Sequence, residues 1–362
     1  MYEIDFHAVG NGDCSGDAIS LRYWDGQCWR IGIIDGGYVE SGEAVCEHVR
    51  NFYNTSNVDF VISTHPDADH ISGLRIILNK LNVSQLWLHV PHLHADRIIH
   101  LFKSRKWLVE NLKRELRAAY PTVEELLELA EMRGTSIRLP FQGMTIGPFH
   151  VLSPSLDLYE GLLPQFEATP QPDQNLLQQL GRWLQVGRRI ATRTVWSVHE
   201  SWSKETLREG GLTSAQNESS VILLGHFGQD RILLTGDAGL VALSEAVTYA
   251  ASAGLQMKKP SIFQVPHHGS RNNISPSMLD FIVGPPIKMG ERNAVRSVIS
   301  AGREDKTHPR QVVVNALLRR GCEPNSTKSA AVLHFSGNGM PKREGWVTAT
   351  TLRFSGIVEE YD

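Results

Sequence analysis

The chain has 362 residues, with 36 basic side chains against 39 acidic, enough to bury a core in one large domain or two without a disulfide or metal to hold it. The near-balance of charge excludes a global field for a polyanion or an anionic membrane, so any such partner must be held locally. Cys14, Cys28, Cys46 and Cys322 form no C-x-x-C pair, the start "MYEIDFHAVGNGD" lacks a signal core, and no apolar run approaches the roughly 18 residues of a membrane span. A cytoplasmic protein without membrane association is expected.

The first third alternates strand-like runs with turns: "YEIDFHAV", "AISLRYW" and "WRIGIID", separated by "GNGDCSGD" and "DGQ". A helical run, "GEAVCEHVRNFY", precedes the strand "VDFVIST", the polar cluster "HPDADH", the helix "ISGLRIILNKL" and the strand "SQLWLHV", the alternation of an α/β layer. Residues 94 to about 134 read as two helices, "ADRIIHLFKSRKWLVENLKRELRAAY" and, after Pro121, "TVEELLELAEMRG". Strands resume with "SIRLP" and "MTIGPFHVLSPS". Residues 156 to 215 then turn Gln-, Pro- and Arg-rich without a period, and both segments are expected to be insertions. The hairpin "SSVILLGHFG" and "DRILLTGD" follows, then the helix "LVALSEAVTYAASAG" and the strands "SIFQVPHHGS" and "AVRSVISAG". The helix "PRQVVVNALLRRG" and two closing strands, "SAAVLHFSG" and "WVTATTLRFSGIV", complete the chain. Two sheet-forming halves, each with helices, result.

Charge concentrates where apolar strands end. In "STHPDADHISGL", His65, Asp67, Asp69 and His70 fall within six positions after an apolar run. On a continued strand 65, 67 and 69 would share a face and His70 would point away; a loop between strand and helix lets all four turn to one point. Helix capping accounts for aspartates there but not for paired histidines. Imidazole with carboxylate suits zinc, manganese or iron. "LLTGD", ending at Asp237, and "VPHHGS", with His267 and His268, have the same form, and ligands at adjacent strand ends are how sheets build sites. One ring of the adjacent pair is expected to point away. "IIDGG" places Asp35 at another strand end, as a structural neighbour of the site ahead of a direct ligand, since Asp-Gly-Gly is also an ordinary turn.

Read together, "HAVGNGD", "IGIIDGG", "STHPDADHISGL", "NESSVILL", "ILLTGD", "VPHHGS" and "KTHP" stand in the order found in metallo-β-lactamase-fold hydrolases. They most closely resemble the soluble C-terminal hydrolase domain of the competence protein ComEC and its stand-alone relatives. The resemblance implies one α/β (α+β) domain over residues 1–362, a four-layer αββα sandwich of two mixed sheets with two helical insertions and a dinuclear site at one edge. By it, His65 and Asp67 bind one divalent ion, Asp69 and His70 a second, Asp237 bridges, and His268 or else His267 completes the second. Zinc or manganese is expected. Many members carry a histidine at a third motif where this chain has "NESS", with Asn217 or Ser220 in that place, and Asp67 stands where many have a histidine.

The resemblance implies a metal-dependent phosphodiesterase or nuclease acting on DNA, RNA or a nucleotide through a metal-bridged hydroxide that Asp69 orients. His308 would bind a substrate phosphate or protonate the leaving group, with Ser270 as a further phosphate donor. Hydrolysis of a small ester, lactone or amide is the enzymatic alternative, and a binding or regulatory module with a degenerate site the other. His89, His92, His94 and His100 are close in sequence, but strand and helical spacing scatter their rings, and a site rim fits them better than a third metal. Lys103, Arg105, Lys106, Lys113, Arg114 and Arg117 alternate with Glu110 and Glu115 as on a solvated helix face. Arg182, Arg188, Arg189 and Arg193 interleave with Trp183, Trp196 and Trp202, a composition for a lid or a protein partner.

Overall fold

A computed structural model of the chain describes residues 1–10, 12, 14–102, 108–170, 197–337 and 343–361. Strands β1 (Tyr2–Phe6), β2 (Ala18–Trp24) and β3 (Trp29–Gly36) form an antiparallel meander. Helix α1 (Val39–Phe52) crosses to β4 (Asn57–Ile62), and the short α2 (Ala68–Ile71) and α3 (Leu74–Lys80) lead to β5 (Asn82–Trp87). Next come α4 (Ala95–Ile98), α5 (Val109–Ala119), α6 (Pro121–Arg133) and β6 (Ser136–Arg138), then the hairpin β7 (Thr145–Ile146) and β8 (Phe149–Ser153), and α7 (Leu156–Leu162). The second half comprises β9 (Ser197–His199), α8 (Ala215–Glu218), β10 (Ile222–Phe227), β11 (Asp230–Leu234), α9 (Leu240–Ser252), β12 (Ile262–Gln264), α10 (Pro276–Ile282), β13 (Arg296–Ile299), α11 (Gln311–Arg319), β14 (Glu323–Ser326), β15 (Val332–Ser336) and β16 (Ile357–Glu359).

Two seven-stranded mixed sheets result, ordered β15-β1-β2-β3-β4-β5-β6 and β14-β13-β12-β11-β10-β8-β7, with β9 and β16 as a separate pair. Strand periodicity sorts the apolar residues into layers. Ile4, Phe6, Ile34, Phe60 and Ile62 of the first sheet face Phe149, Val151, Leu223, Ile232 and Leu234 of the second across an inner core. Their neighbours point outward: Val58 and Val61 pack beneath α1 and α3, while Leu224 and Leu233 pack beneath α9 and α11. The order is therefore helix, sheet, sheet, helix. Among the described residues no helix is long and apolar enough to cross a membrane.

Three expected elements differ. The run before Tyr120 is no single helix: α4 gives way to a tight turn at Ile99–Leu101, and α5 begins only at Val109. The run "WVTATTLRFSGIV" forms strand only at Ile357–Glu359, where it pairs with β9; its threonine-rich first half, with Val347 88% exposed, joins no sheet, although Leu352 N donates to Pro324 O of the edge strand β14 at 2.8 Å. The helix after "HPDADH" breaks at Gly73, where two backbones meet. Residues 94–134 supply α4 to α6 against the first helical layer. Of the second expected insertion, residues 171–196, with Arg182, Trp183, Arg188, Arg189, Arg193 and Trp196, lie outside the described residues, as do Lys103, Arg105 and Lys106. Lys113 and Arg114 pair with Glu110 and Glu115 on an exposed helix face.

The break at Gly73 ties the first sheet to the polar loop ahead of it. Gly73 donates its N–H to Gly37 O at 2.8 Å, and a Cβ there would lie 2.0 Å from Gly36 O and 2.7 Å from Tyr38 O, both immovable backbone atoms. Gly73→Ala is expected to part these segments and destabilise the fold by about 1–3 kcal/mol, the usual cost of overpacking. A thermal melt with an unchanged midpoint would show that the contact carries no such constraint.

Candidate metal centre

Asp35, His65, Asp67, Asp69, His70, Asp237, His267 and His268 sit at or just past the C-terminal end of a strand in one of two parallel pairs, β3 with β4 and β11 with β12, whereas Asn217 and Ser220 lie ahead of β10. Asp35 ends β3, and His65 to His70 follow β4 through α2, with Asp67 at the helix N-cap. Asp237 follows β11, and His267 and His268 follow β12. Val221 N donates to Thr64 O at 3.0 Å and His267 N to Gly236 O at 3.1 Å, so the loops from the two sheets are pinned to one another. Asp35, His267 and His268 take positive φ of 56°, 47° and 56°. Such angles cost energy in non-glycine residues and re-aim a side chain.

The side chains converge. His70 Nε2 lies 3.3 Å from Asp237 Oδ1 and 3.6 Å from Asp69 Oδ2; His268 Nε2 lies 3.4 Å from Asp69 Oδ2 and 3.7 Å from Asp237 Oδ2. One ligand atom from each of Asp69, His70, Asp237 and His268 lies within 4.8 Å of all the others. A tetrahedral ion with ligands at about 2.1 Å sets its donors about 3.4 Å apart. On the other side of Asp237, His65 Nε2 is 3.4 Å from Asp67 Oδ2 and 3.9 Å from Asp237 Oδ2, and His267 Nε2 is 3.8 Å from Asp237 Oδ2. Both rings of the adjacent pair therefore turn toward Asp237, contrary to the sequence expectation, because both residues adopt the left-handed conformation.

Hydrogen bonds behind the rings fix their tautomers. His268 Nδ1 lies 3.1 Å from Ser300 O, which can only accept, so Nδ1 carries the proton and Nε2 is bare in the neutral ring. His70 Nδ1 is 2.8 Å from Asp35 Oδ2, with the same result. Thr64 Oγ1 gives its proton to Asp35 Oδ2 at 2.6 Å and so accepts from His65 Nδ1 at 3.1 Å. Three bare Nε2 atoms then face inward. Those of His65, His70 and His268, together with Asp237 Oδ1, are buried without a hydrogen-bond partner. Buried polar atoms are seldom left so, and a divalent cation fits this donor set: bare imidazole nitrogens, carboxylate oxygens, and carboxylate or carbonyl groups orienting the rings from behind.

The electrostatics point the same way. Burial would lower the pKa of His70, but the carboxylates of Asp237, Asp69 and Asp35 outweigh it and hold the ring well above its usual value. His268 is likewise pushed up to about 9 against burial, chiefly by Asp237 and Asp69. Asp237, although buried, is held well below the ordinary range by His267, His70 and His268. Burial drives His267 down to about 4, so it stays neutral. The cavity is an anionic cage that either protons or a cation must neutralise.

The remaining candidates take supporting places. Asn217 touches His267 Nδ1 at 2.8 Å, and Ser220 Oγ accepts from Asp237 N at 3.2 Å. Ser270 is buried, its oxygen facing Asn272 N at 3.3 Å. His308 stacks on His267 with ring centroids 5.9 Å apart, and its Nδ1 lies 3.0 Å from Asp305 Oδ2. His92 and His94 turn to Glu124 and Glu160, while His89 stacks on Tyr159; none joins the cluster.

Several residues were not singled out from sequence. Gln216 donates to Asp67 Oδ1 at 2.6 Å. Gln264 joins Asp17 Oδ2 (2.9 Å) to the amides of Thr235 and Gly236 ahead of Asp237. Glu218, buried and raised to about 7 by that burial, accepts from Val241 N and Ala242 N at the start of α9. Asp305, 3% exposed, accepts from Ser15 Oγ, Thr307 N and Thr307 Oγ1 besides His308. Glu218 lies within "NESS" and Asp305 just ahead of "THP", so the motifs carried the only available signal.

No protein-family model and no curated protein matches the chain. Among solved structures it is similar to the metallo-β-lactamase-fold protein YhfI of Bacillus subtilis, 10% identical, covering 92% of this chain and 99% of that one at a TM-score of 0.41. It is similar also to a diphosphatase of the PhnP family, 10% identical over 82% and 85% of the two chains at 0.32, and to the metallo-β-lactamase SMB-1, 9% identical over 73% and 83% at 0.30. The chain itself shows two seven-stranded mixed sheets between helical layers. Likeness this slight carries no argument about chemistry.

Asp35 offers a direct check on the ring-orienting shell. Asp35→Asn leaves one acceptor oxygen, and an NH2 donor in place of the other, for Thr64 N, Thr64 Oγ1 and His70 Nδ1, and is expected to weaken manganese or zinc binding by ~10- to 100-fold. Calorimetric titration of the folded variant reads this out; wild-type affinity would show that Asp35 does not set the His70 tautomer.

Proposed function

We propose that this chain is a metal-dependent hydrolase, and specifically a phosphodiesterase or nuclease acting on DNA, RNA or a nucleotide. The observation that carries the reading is the closed group of Asp69, His70, Asp237 and His268 with its inward, unpartnered ring nitrogens. Divalent ions held by such residues supply Lewis acidity, which lowers the pKa of a water and withdraws charge from a scissile phosphorus–oxygen bond. Two carboxylates beside two imidazoles favour ions that accept oxygen ligands, manganese as well as zinc. The ComEC-like order of motifs favours phosphodiesters over the small esters, lactones and amides that the same fold also admits.

The chain's own groups divide the work. Of the two carboxylates in the closed group Asp69 is the more open, its side chain 24% exposed against 4% for Asp237. Although burial opposes it, His70 and His268 lower its pKa to about 2, so it orients an attacking water by accepting a hydrogen bond and does not take up the proton. Asp305 accepts from His308 Nδ1, which leaves His308 Nε2 to meet substrate beside His267. From there His308 can donate to a phosphate oxygen and then protonate the departing oxygen. Asp305 itself is held far below the usual carboxylate range, since its bonds from His308, Ser15 and Thr307 outweigh its burial.

Hydrolysis of bis-p-nitrophenyl phosphate, single-stranded DNA and RNA with manganese or zinc tests the reading. Metal-dependent cleavage is expected, with a loss of at least ~100-fold in Asp69→Ala, a typical scale for removing a positioned catalytic group. Asp305→Asn should impair DNA cleavage far more than p-nitrophenyl ester cleavage, because p-nitrophenolate leaves without a proton. Cleavage of small esters or lactones alone would replace the phosphodiesterase reading, and activity untouched by Asp69→Ala would reject the mechanism.

A further inference from the structure

The segment after β1 and the first turn of α1 enclose a cavity of about 500 Å³, with Ala8, Gly10, Cys14, Tyr38, Glu40 and Ala44 in its wall. Small-molecule sites span roughly 300–1,000 Å³. The wall is fastened to the metal centre: Asp17 N donates to Asp69 O at 3.2 Å, and a Cβ on Gly16 would lie 2.4 Å from that same oxygen. Tyr38 belongs to both places. It lines the cavity, and its phenol is raised in pKa by burial and then by the charge of Asp69, while a hydrogen bond ties its hydroxyl to Cys14.

The lining decides what can enter. Ala8, Gly10 and Ala44 bring no polar side chain, so the Tyr38 ring is the main surface on which a ligand can rest. Glu40, exposed in the first turn of α1, is the one charged side chain in the wall among the described residues. A phosphate placed there would meet Glu40 and the anionic cage without a lysine or arginine to balance it. Cations lie on the other side of the wall. Arg303 and Lys306, with Glu304 between them, are exposed on the loop that leads to His308. A Cβ on Gly302 of that loop would lie 2.3 Å from Cys14 O, and Ser15 Oγ donates to Asp305 Oδ2 at 2.6 Å. The segment carrying Cys14 and Ser15 thus has a neutral aromatic cavity on one side and the His308 loop on the other.

We propose that this cavity is a nucleobase subsite, in which a base next to the scissile phosphate stacks on Tyr38 and donates an amino hydrogen to Glu40. A planar group with no charge of its own suits the aromatic wall, and an exocyclic amino group suits a carboxylate. The phosphate then lies over the metal centre, toward His308. The inference rests on the phosphodiesterase reading above and narrows its substrate to nucleic acid or nucleotide with cytosine, adenine or guanine at this position, ahead of uracil or thymine, which have no amino group.

Nucleotide binding tests this without turnover. Manganese-loaded protein is titrated calorimetrically with cytidine monophosphate, uridine monophosphate and ribose 5-phosphate, which has the sugar and phosphate but no base. Cytidine monophosphate should bind most tightly and ribose 5-phosphate most weakly. Tyr38→Leu, which keeps apolar bulk, should weaken cytidine monophosphate by about 5- to 150-fold, the span of one base–aromatic stack, and Tyr38→Phe should restore it. Glu40→Gln, on an exposed side chain, should let uridine monophosphate bind as well as cytidine monophosphate, because the amide adds a donor for a uracil carbonyl. Absence of nucleotide binding, ribose 5-phosphate bound as tightly as the nucleotides, or affinities untouched by Tyr38→Leu would overturn the subsite and leave the phosphodiesterase reading standing. Base-dependent binding without cleavage of any phosphodiester would overturn that reading instead.

Discussion

The site is organised around one electrostatic constraint: Asp237 is buried with its carboxylate between bare imidazole nitrogens and other carboxylates, and no bond among protein groups satisfies all of these atoms. Buried charge of one sign is tolerated only when neutralised. Here the protein invests in the opposite direction, with Asp17, Asp35 and Asp69 set close to His70. Protonated histidines could balance part of this charge, but each Nε2 would then aim its proton at an oxygen more than 3.2 Å away. A cation placed among Asp69, His70, Asp237 and His268 satisfies the inward atoms of that group at once.

The sandwich supplies the positions. Parallel strands of both sheets end at the same edge, and short loops without a long lever carry the ligands from there. Asp35 ties Thr64 and His70 together behind the first loop, while Gln264 ties the Asp237 turn to Asp17. Glu218 anchors the helix that follows Asp237 by accepting its first amides, which is a favourable place for a carboxylate. Left-handed backbone at Asp35, His267 and His268 is a local cost that these networks offset.

Much of this was legible in the sequence because histidines and carboxylates at strand ends break the periodicity that a core imposes. "HPDADH" after "VDFVI" and "HH" after "SIFQVP" put polar groups where an apolar strand should have continued into an ordinary turn. The sheets and most helices followed from period and turn residues. The failures have physical reasons. "WVTATTLRF" alternates like a strand but meets the β14 edge through Leu352 N and Pro324 O without entering the ladder, and the break at Gly73 is set by a close approach of Gly36 and Tyr38 that sequence spacing does not contain. Asp17, Gln216, Gln264, Asn273 and Asp305 are single polar residues in loops, at strand ends or, for Gln216, in the short α8. Each acquires a role only when folding brings it beside a residue far away in the chain, as with Gln216 and Asp67 or Ser15 and Asp305. Alternation would turn one ring of the His267–His268 pair away, but it holds for extended backbone and not for two successive left-handed residues.

The claim on which the rest depends is that a divalent ion sits among Asp69, His70, Asp237 and His268. Crystals grown with manganese and measured for anomalous scattering locate that ion without reference to activity. The account predicts a peak bonded to His70 Nε2, His268 Nε2 and oxygens of Asp69 and Asp237. A filled manganese soak with no anomalous density between these four side chains would contradict it.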